Sequence, residues 1–248
     1  METLKKIKIY NKSFFIYGHR GVPLLEEENT ISSFQKAIEL NYDGIELDVQ
    51  ITKDGKIVVY HDKIIKNSKK KIIDSTYKEI LETNTNDNID IFPRLEEVLS
   101  KLGHKTIINI EIKDQSRKPI LIVEKVIEKI KKFNLIENVI ISSFKPQIIK
   151  KVKQIDDRIY TAWIWGGSNF YFYNTWEIIL NYFKPNAIHV KDSLINQKLV
   201  KKLHLKNIAI LAYTINDENK LSRLIKLKID GIFTDSPQVM KAGRSLIL

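Results

Sequence analysis

Short apolar runs alternate along this chain with longer segments in which apolar residues recur every three to four positions. Runs of strand character fall near 14–18, 44–51, 106–113, 139–144, 159–165, 187–190, 208–215 and 231–234. Helical patterns lie between them, near 30–40, 94–102, 118–133, 146–154, 174–183, 196–204, 217–227 and 237–246. In 118–133, Val123, Val126, Ile127, Ile130 and Phe133 share one face, with Glu124, Lys125, Glu128, Lys129 and Lys132 elsewhere. Asn29 and Thr30 offer capping side chains before Ile31, while Pro146 and Pro237 suit the first turn of a helix. Strand followed by helix, repeated throughout, predicts an α/β fold with a parallel sheet, and eight repeats predict closure into a (β/α)8 TIM barrel.

Polar residues inside the strand runs break this apolar pattern. In Gly44-Ile45-Glu46-Leu47-Asp48-Val49 a period of two puts both acids on one face, and Ile45, Leu47 and Val49 on the other. Ile108-Asn109-Ile110-Glu111-Ile112-Lys113 repeats the arrangement, so Asn109, Glu111 and Lys113 project together. After the second strand, Lys53-Asp54-Gly55-Lys56 reads as a turn, and extended Ile57-Val58-Val59-Tyr60 carries His61 back toward Glu46 and Asp48. His19, Arg20, Glu46, Asp48 and Glu111 all fall at strand ends, where a barrel of this kind gathers its chemistry. Three carboxylates there repel one another unless a cation joins them. An oxygen-only set suits a hard divalent ion, Mg²⁺ or Ca²⁺, rather than zinc.

The length of 248 residues suits one barrel domain spanning 1–248, and no Pro-, Gly- or Ser-rich stretch suggests a linker. With no cysteine, disulfides, thiolate metal sites and thiol nucleophiles are excluded. Neither a signal-peptide apolar region nor a bilayer-length apolar run is apparent, so a cytoplasmic location is expected. The net charge of +11 could attract nucleic acid or an anionic membrane. Only six of the 41 basic residues are arginine, however, and the lysines are scattered apart from Lys69-Lys70-Lys71. They read as solvated faces, and neither a nucleic-acid partner nor membrane contact is expected.

Taken in order, these pieces resemble the glycerophosphodiester phosphodiesterase family. The matching motifs are His19-Arg20-Gly21, Glu28-Asn29-Thr30 with Phe34, Gly44 to Val49, Thr52-Lys53-Asp54-Gly55, Val58-Val59-Tyr60-His61-Asp62 and Glu111-Ile112-Lys113. Fainter matches are Arg94 to Leu99, Ser142-Ser143-Phe144, Tyr213-Thr214-Ile215-Asn216 and Thr234-Asp235-Ser236-Pro237. The resemblance implies metal-dependent hydrolysis of a small-molecule glycerophosphodiester to glycerol 3-phosphate and an alcohol. It implies Glu46, Asp48 and Glu111 as metal ligands, His19 and His61 as the acid/base pair, and Arg20 and Lys113 on the phosphate. It also implies first attack by the substrate's own glycerol hydroxyl, giving a cyclic phosphate that water opens. Tyr213 stands where relatives often carry tryptophan and is assigned to substrate binding. Lys63 to Ser68 replaces an Arg-Thr-Gly-rich stretch, and the short span from His61 to Pro93 predicts a small insertion.

Plainer roles compete at several positions. Arg20 and Lys113 could be salt-bridge partners, and Glu28 could serve the start of the first helix. His104 and His204 read as exposed, and His189, though on a strand beside Lys191, reads as outside the site. Phe170-Tyr171-Phe172-Tyr173-Trp176 reads as packing, with a lid over the alcohol group as the alternative. The same barrel could instead act on a lysophospholipid or phosphoinositide headgroup, and a non-catalytic basic module is the reading from another class.

Overall fold

Eight of the apolar runs become the staves of one closed barrel. The computed structural model describes residues 14–83, 91–113, 119–167 and 180–247. Its strands are β1 (Phe15–Gly18), β2 (Gly44–Ile51), β3 (Ile57–Val59), β4 (Ile107–Ile112), β5 (Val139–Ser143), β6 (Tyr160–Trp165), β7 (Ala187–Lys191), β8 (Ala209–Tyr213) and β9 (Gly231–Thr234). All but β3 pair in parallel, in the order β1, β2, β4, β5, β6, β7, β8, β9, and β9 pairs back onto β1. The helices are α1 (Ile31–Glu39), α2 (Tyr77–Leu81), α3 (Leu95–Leu102), α4 (Pro119–Lys132), α5 (Pro146–Ile155), α6 (Gln197–His204), α7 (Glu218–Lys226) and α8 (Pro237–Ile247). The expected helix over 174–183 lies mostly outside the described residues, of which 180–183 are helical.

The period-two pattern sorts each strand into two environments. Ile45, Leu47 and Val49 of β2, with Ile108, Ile110 and Ile112 of β4, join the large core between barrel and helices. Val123, Val126, Ile127 and Ile130 meet it from α4, fully buried. Each such side chain contributes roughly 1.5–3 kcal/mol by leaving water, so a charge at Val126 would cost the docking of α4. The inward positions near the barrel floor form a second cluster, with Phe15, Tyr17, Tyr160, Leu211 and Phe233 filling it between Ala162, Ala187 and Ala209.

Local signals set the helix starts. Thr30 caps α1 by accepting from Ser33 N–H, Asn196 caps α6 and Asp217 caps α7. Asn29, also a capping candidate, does something else, described below.

The short insertion follows β2. Thr52 Oγ1 accepts from Lys56 N–H, Gly55 takes a φ of 75°, and β3 returns antiparallel along β2 with Val49 opposite Val59. Tyr60 N–H then donates to Asp48 O, bringing His61 to the mouth of the barrel. Val58, Ile65, Ile72, Ile80 and Phe92 give the insertion its own small core. The short helix α2 within it was not anticipated, because five residues are too few to display a helical period.

Candidate active site

A cavity of about 280 Å³ opens at the C-terminal ends of the barrel strands. His19, Arg20, Glu46, His61, Glu111, Lys113 and Tyr213 line it, and Asp48 lies buried among the acids beside it. All eight expected site residues therefore meet in one place.

Register explains how the acids converge. Glu46 stands opposite Asn109, and Asp48 opposite Glu111, on adjoining parallel strands. One oxygen from each of Glu46, Asp48 and Glu111 lies within 4.8 Å of the others, and all three residues are buried. Burial above all, then the charge of Asp48, drives the Glu46 and Glu111 carboxyls well above the usual carboxylate range. Asp48 goes the other way: burial would raise it, but Lys113, Arg20 and His61 together hold it ionised. Lys113 Nζ sits 2.7 Å from Glu111 Oε1 and 3.2 Å from Asp48 Oδ1, while Glu46 Oε1 has no hydrogen-bond partner among the described residues. Three crowded carboxyls with one oxygen unsatisfied fit a hard divalent cation by donor type and by charge.

The turn after β1 is built to serve these acids. Arg20 adopts a φ of 56°, and its backbone N–H donates to Glu46 Oε2 at 2.9 Å. Gly21 follows with a φ of 91°, where an added Cβ would stand 2.3 Å from Ser33 Oγ, so only glycine lets the turn pack on α1. The Arg20 guanidinium donates to both oxygens of Glu28, at 3.0 and 2.9 Å, and its Nε lies 3.3 Å from Asp48 Oδ2. Glu28 is thus a site neighbour rather than a helix-start residue. Asn29 is too: its amide grips Asp48 from both sides, donating to Oδ2 and accepting from Asp48 N–H.

The histidines differ in their support. His19 Nδ1 pairs with Asp235 Oδ1 at 2.7 Å, in the loop after β9. Burial would lower the His19 pKa, but that hydrogen bond and the charges of Glu46 and Asp235 outweigh it, and the net shift is upward. Asp235 is itself held by Asn216, whose Nδ2 donates to Oδ2 at 2.6 Å. His61 Nδ1 pairs with the adjacent Asp62 at 2.7 Å and is more exposed than His19. His104 and His204 are exposed, as expected, whereas His189 lies on the cavity wall, against expectation.

The remaining wall is apolar and aromatic. Phe144 lies edge-on to Tyr213 with centroids 6.3 Å apart, and Lys113 Nζ hangs 5.9 Å from the Phe144 centroid. Ile164 and Phe233 complete this side. The aromatic group 170–176 lies outside the described residues.

Sequence reasoning missed Asp235 and Asn216 as supports, although both lie in motifs that matched faintly, and it missed Asn29 because a capping residue looks the same. No helix among the described residues is long and apolar enough to cross a membrane.

Known proteins resemble this chain along most of its length. The model of the glycerophosphoryl diester phosphodiesterase family matches residues 19–239. A glycerophosphodiester phosphodiesterase of Caldanaerobacter subterraneus is 32% identical over 91% of this chain and 95% of its own. The crystal structure of a glycerophosphodiester phosphodiesterase from Thermotoga maritima, 29% identical, covers 92% of this chain and 97% of its own with a TM-score of 0.78. A phosphodiesterase of Oleispira antarctica, solved with its product sn-glycerol-3-phosphate, shares the fold at 20% identity, covering 93% of this chain and 96% of its own with a TM-score of 0.81.

Proposed function

Given that the chain belongs to the glycerophosphoryl diester phosphodiesterase family, we propose that it hydrolyses glycerophosphodiesters to glycerol 3-phosphate and an alcohol in one barrel domain, by histidine acid/base catalysis beside a divalent cation. The observation that carries this reading is the trio Glu46, Asp48 and Glu111, buried together, with the Asp235-bound His19 and with His61 on the same cavity.

Glu46, Asp48 and Glu111 would hold Mg²⁺ or Ca²⁺, which when bound supplies positive charge beside the phosphoryl oxygens. Arg20 and Lys113 add fixed positive charge from the chain itself, and Arg20 can offer a planar pair of donors to two oxygens. Both cations are paired with carboxylates, Arg20 with Glu28 and Asp48 and Lys113 with Asp48 and Glu111, and these pairs hold them at the cavity. Asp235 fixes the His19 ring through Nδ1, which leaves Nε2 for proton transfer with substrate. One imidazole takes the proton of the attacking hydroxyl and the other supplies one to the departing alkoxide. The aromatic side formed by Tyr213 and Phe144 excludes water and contacts the substrate's carbon skeleton.

The test is turnover of glycerophosphocholine and glycerophosphoethanolamine with Mg²⁺, Ca²⁺ and Mn²⁺ in parallel, detecting glycerol 3-phosphate. Undiminished turnover in excess chelator would remove the cation from the reading. Release of phosphocholine in place of choline would change the bond that is cleaved.

A further inference from the structure

The cavity contains two buried polar groups that the reaction, as assigned above, does not use. His189 is 2% exposed, and alternation along β7 turns it inward one step above Ala187 of the barrel interior. Its ring packs on Phe233, with centroids 4.6 Å apart and planes inclined at 58°. It lines the cavity, and its Nε2 has no hydrogen-bond partner among the described residues. Asn109, 1% exposed and also lining the cavity, commits its Nδ2 to Ser142 Oγ at 2.9 Å, and its Oδ1 has no partner.

Orphaned polar atoms destabilise a fold unless something else satisfies them, and a purely structural histidine would ordinarily find a carbonyl or carboxylate. His189 Nε2 and Asn109 Oδ1 instead stand at the cavity, on different strands, with no partner among the described residues. Their chemistry narrows what would complete them. Burial lowers the His189 pKa to about 3, so the ring is neutral. A neutral imidazole donates at one nitrogen and accepts at the other, and an amide oxygen accepts; neither compensates the charge of a phosphate. Anion-gripping cations already stand elsewhere, at Arg20 and Lys113. An alcohol hydroxyl, which both donates and accepts, is the complementary group.

We propose that His189 and Asn109 form a hydroxyl-recognising subsite for the polyol half of the substrate, with His189 as its specificity-determining residue. This rests on the phosphodiesterase reading above. It assigns the polar part of the cavity wall to recognition of the glycerol moiety and leaves the alcohol leaving group to the other side of the phosphate.

The experiment is calorimetric titration of the Mg²⁺-supplemented protein with sn-glycerol 3-phosphate and, separately, with inorganic phosphate, for wild type, His189→Leu and His189→Gln, with thermal melts of each. The expectation for His189→Leu is about tenfold weaker binding of glycerol 3-phosphate, inorganic phosphate affinity within about twofold, and an unchanged or raised melting temperature, since the orphan is gone. His189→Gln, which keeps a donor and an acceptor, recovers part of the lost affinity. Unchanged glycerol 3-phosphate binding in His189→Leu, or equal weakening of both ligands in both variants, overturns the subsite. A wild-type protein that neither binds glycerol 3-phosphate nor turns over glycerophosphocholine rejects the phosphodiesterase reading itself, a different outcome from a wild type that binds well and a variant that binds equally well.

Discussion

The two walls of the cavity are made from the same kind of strand end but obey different physics. On the side of β1, β2 and β4, His19, Arg20, Glu46, Asp48, Glu111 and Lys113 are tied together by ion pairs and mutual repulsion. On the side of β6, β7 and β8, Ile164, His189 and Tyr213 present a neutral surface completed by Phe144 and Phe233. The charged wall determines the reaction because only charge, fixed in place, can answer charge that develops on a phosphoryl group. The neutral wall, on the subsite proposed above, determines what is recognised around that group. Damage on the charged side should therefore fall on rate, and damage on the neutral side on selectivity.

The largest effect should come from the three acids. Asp48→Asn also disturbs the contacts to Asn29, Arg20 and Lys113, so Glu46→Gln is the cleaner change. Loss of several kcal/mol of charge stabilisation predicts a fall in kcat/KM of about 10⁴-fold or more, matched by chelation of the wild type. Stability should move the opposite way in the metal-free protein. Burial and the Asp48 charge disfavour ionised Glu46, so its amide should melt a few degrees higher, on the order of 2–4 °C. Saturating divalent ion should reverse that order, because only the wild type gains the full binding energy. A metal-free Glu46→Gln protein that melts lower than wild type would mean that the cluster is structural rather than poised for a cation.

Next come the imidazoles. His19→Ala and His61→Ala should each cost roughly 10²–10⁴-fold in kcat, as expected when a proton-transfer group is removed. Asp235→Asn is gentler, because the His19 ring remains but loses its charged anchor at 2.7 Å. About a 10- to 100-fold loss in kcat with KM nearly constant is expected. A rise in KM with kcat preserved would place Asp235 on the substrate instead, and would weaken the view that this wall acts through rate.

The same contrast explains what could be read from the chain in advance. Eight strands and most helices were legible because burying one face imposes a period, and the acids inside Gly44–Ile51 and Ile107–Ile112 stand out as charges on the other face of otherwise apolar strands. Asp235 was not legible as a support for His19, since 216 positions separate them and only barrel closure of β9 onto β1 brings them together. His189 failed for another reason. In Ala187–Lys191 a lone histidine among apolar neighbours looks like ordinary packing, and what distinguishes it is the missing partner, which a sequence does not display. Asn29 was ambiguous because the side chain that caps a helix is the one that clasps a carboxylate.

The smallest expected effect tests the neutral wall by acid rather than by ligand. His189 has a pKa of about 3 in the folded protein, against 6.5 for the free side chain, because burial opposes its charged form. Below pH 6.5 the unfolded chain therefore takes up a proton that the folded chain refuses, and stability falls with pH at up to about 1.4 kcal/mol per pH unit until the folded ring titrates. His189→Leu lacks this proton uptake. Urea unfolding of both proteins from pH 7.5 to pH 4.5, without metal, should show the variant's advantage widening as pH falls, by about 2 kcal/mol at pH 5 relative to its value at pH 7.5. Parallel curves would mean that the ring takes its proton while folded. A charged histidine would then face the cavity, and the wall read here as neutral would join the charged one.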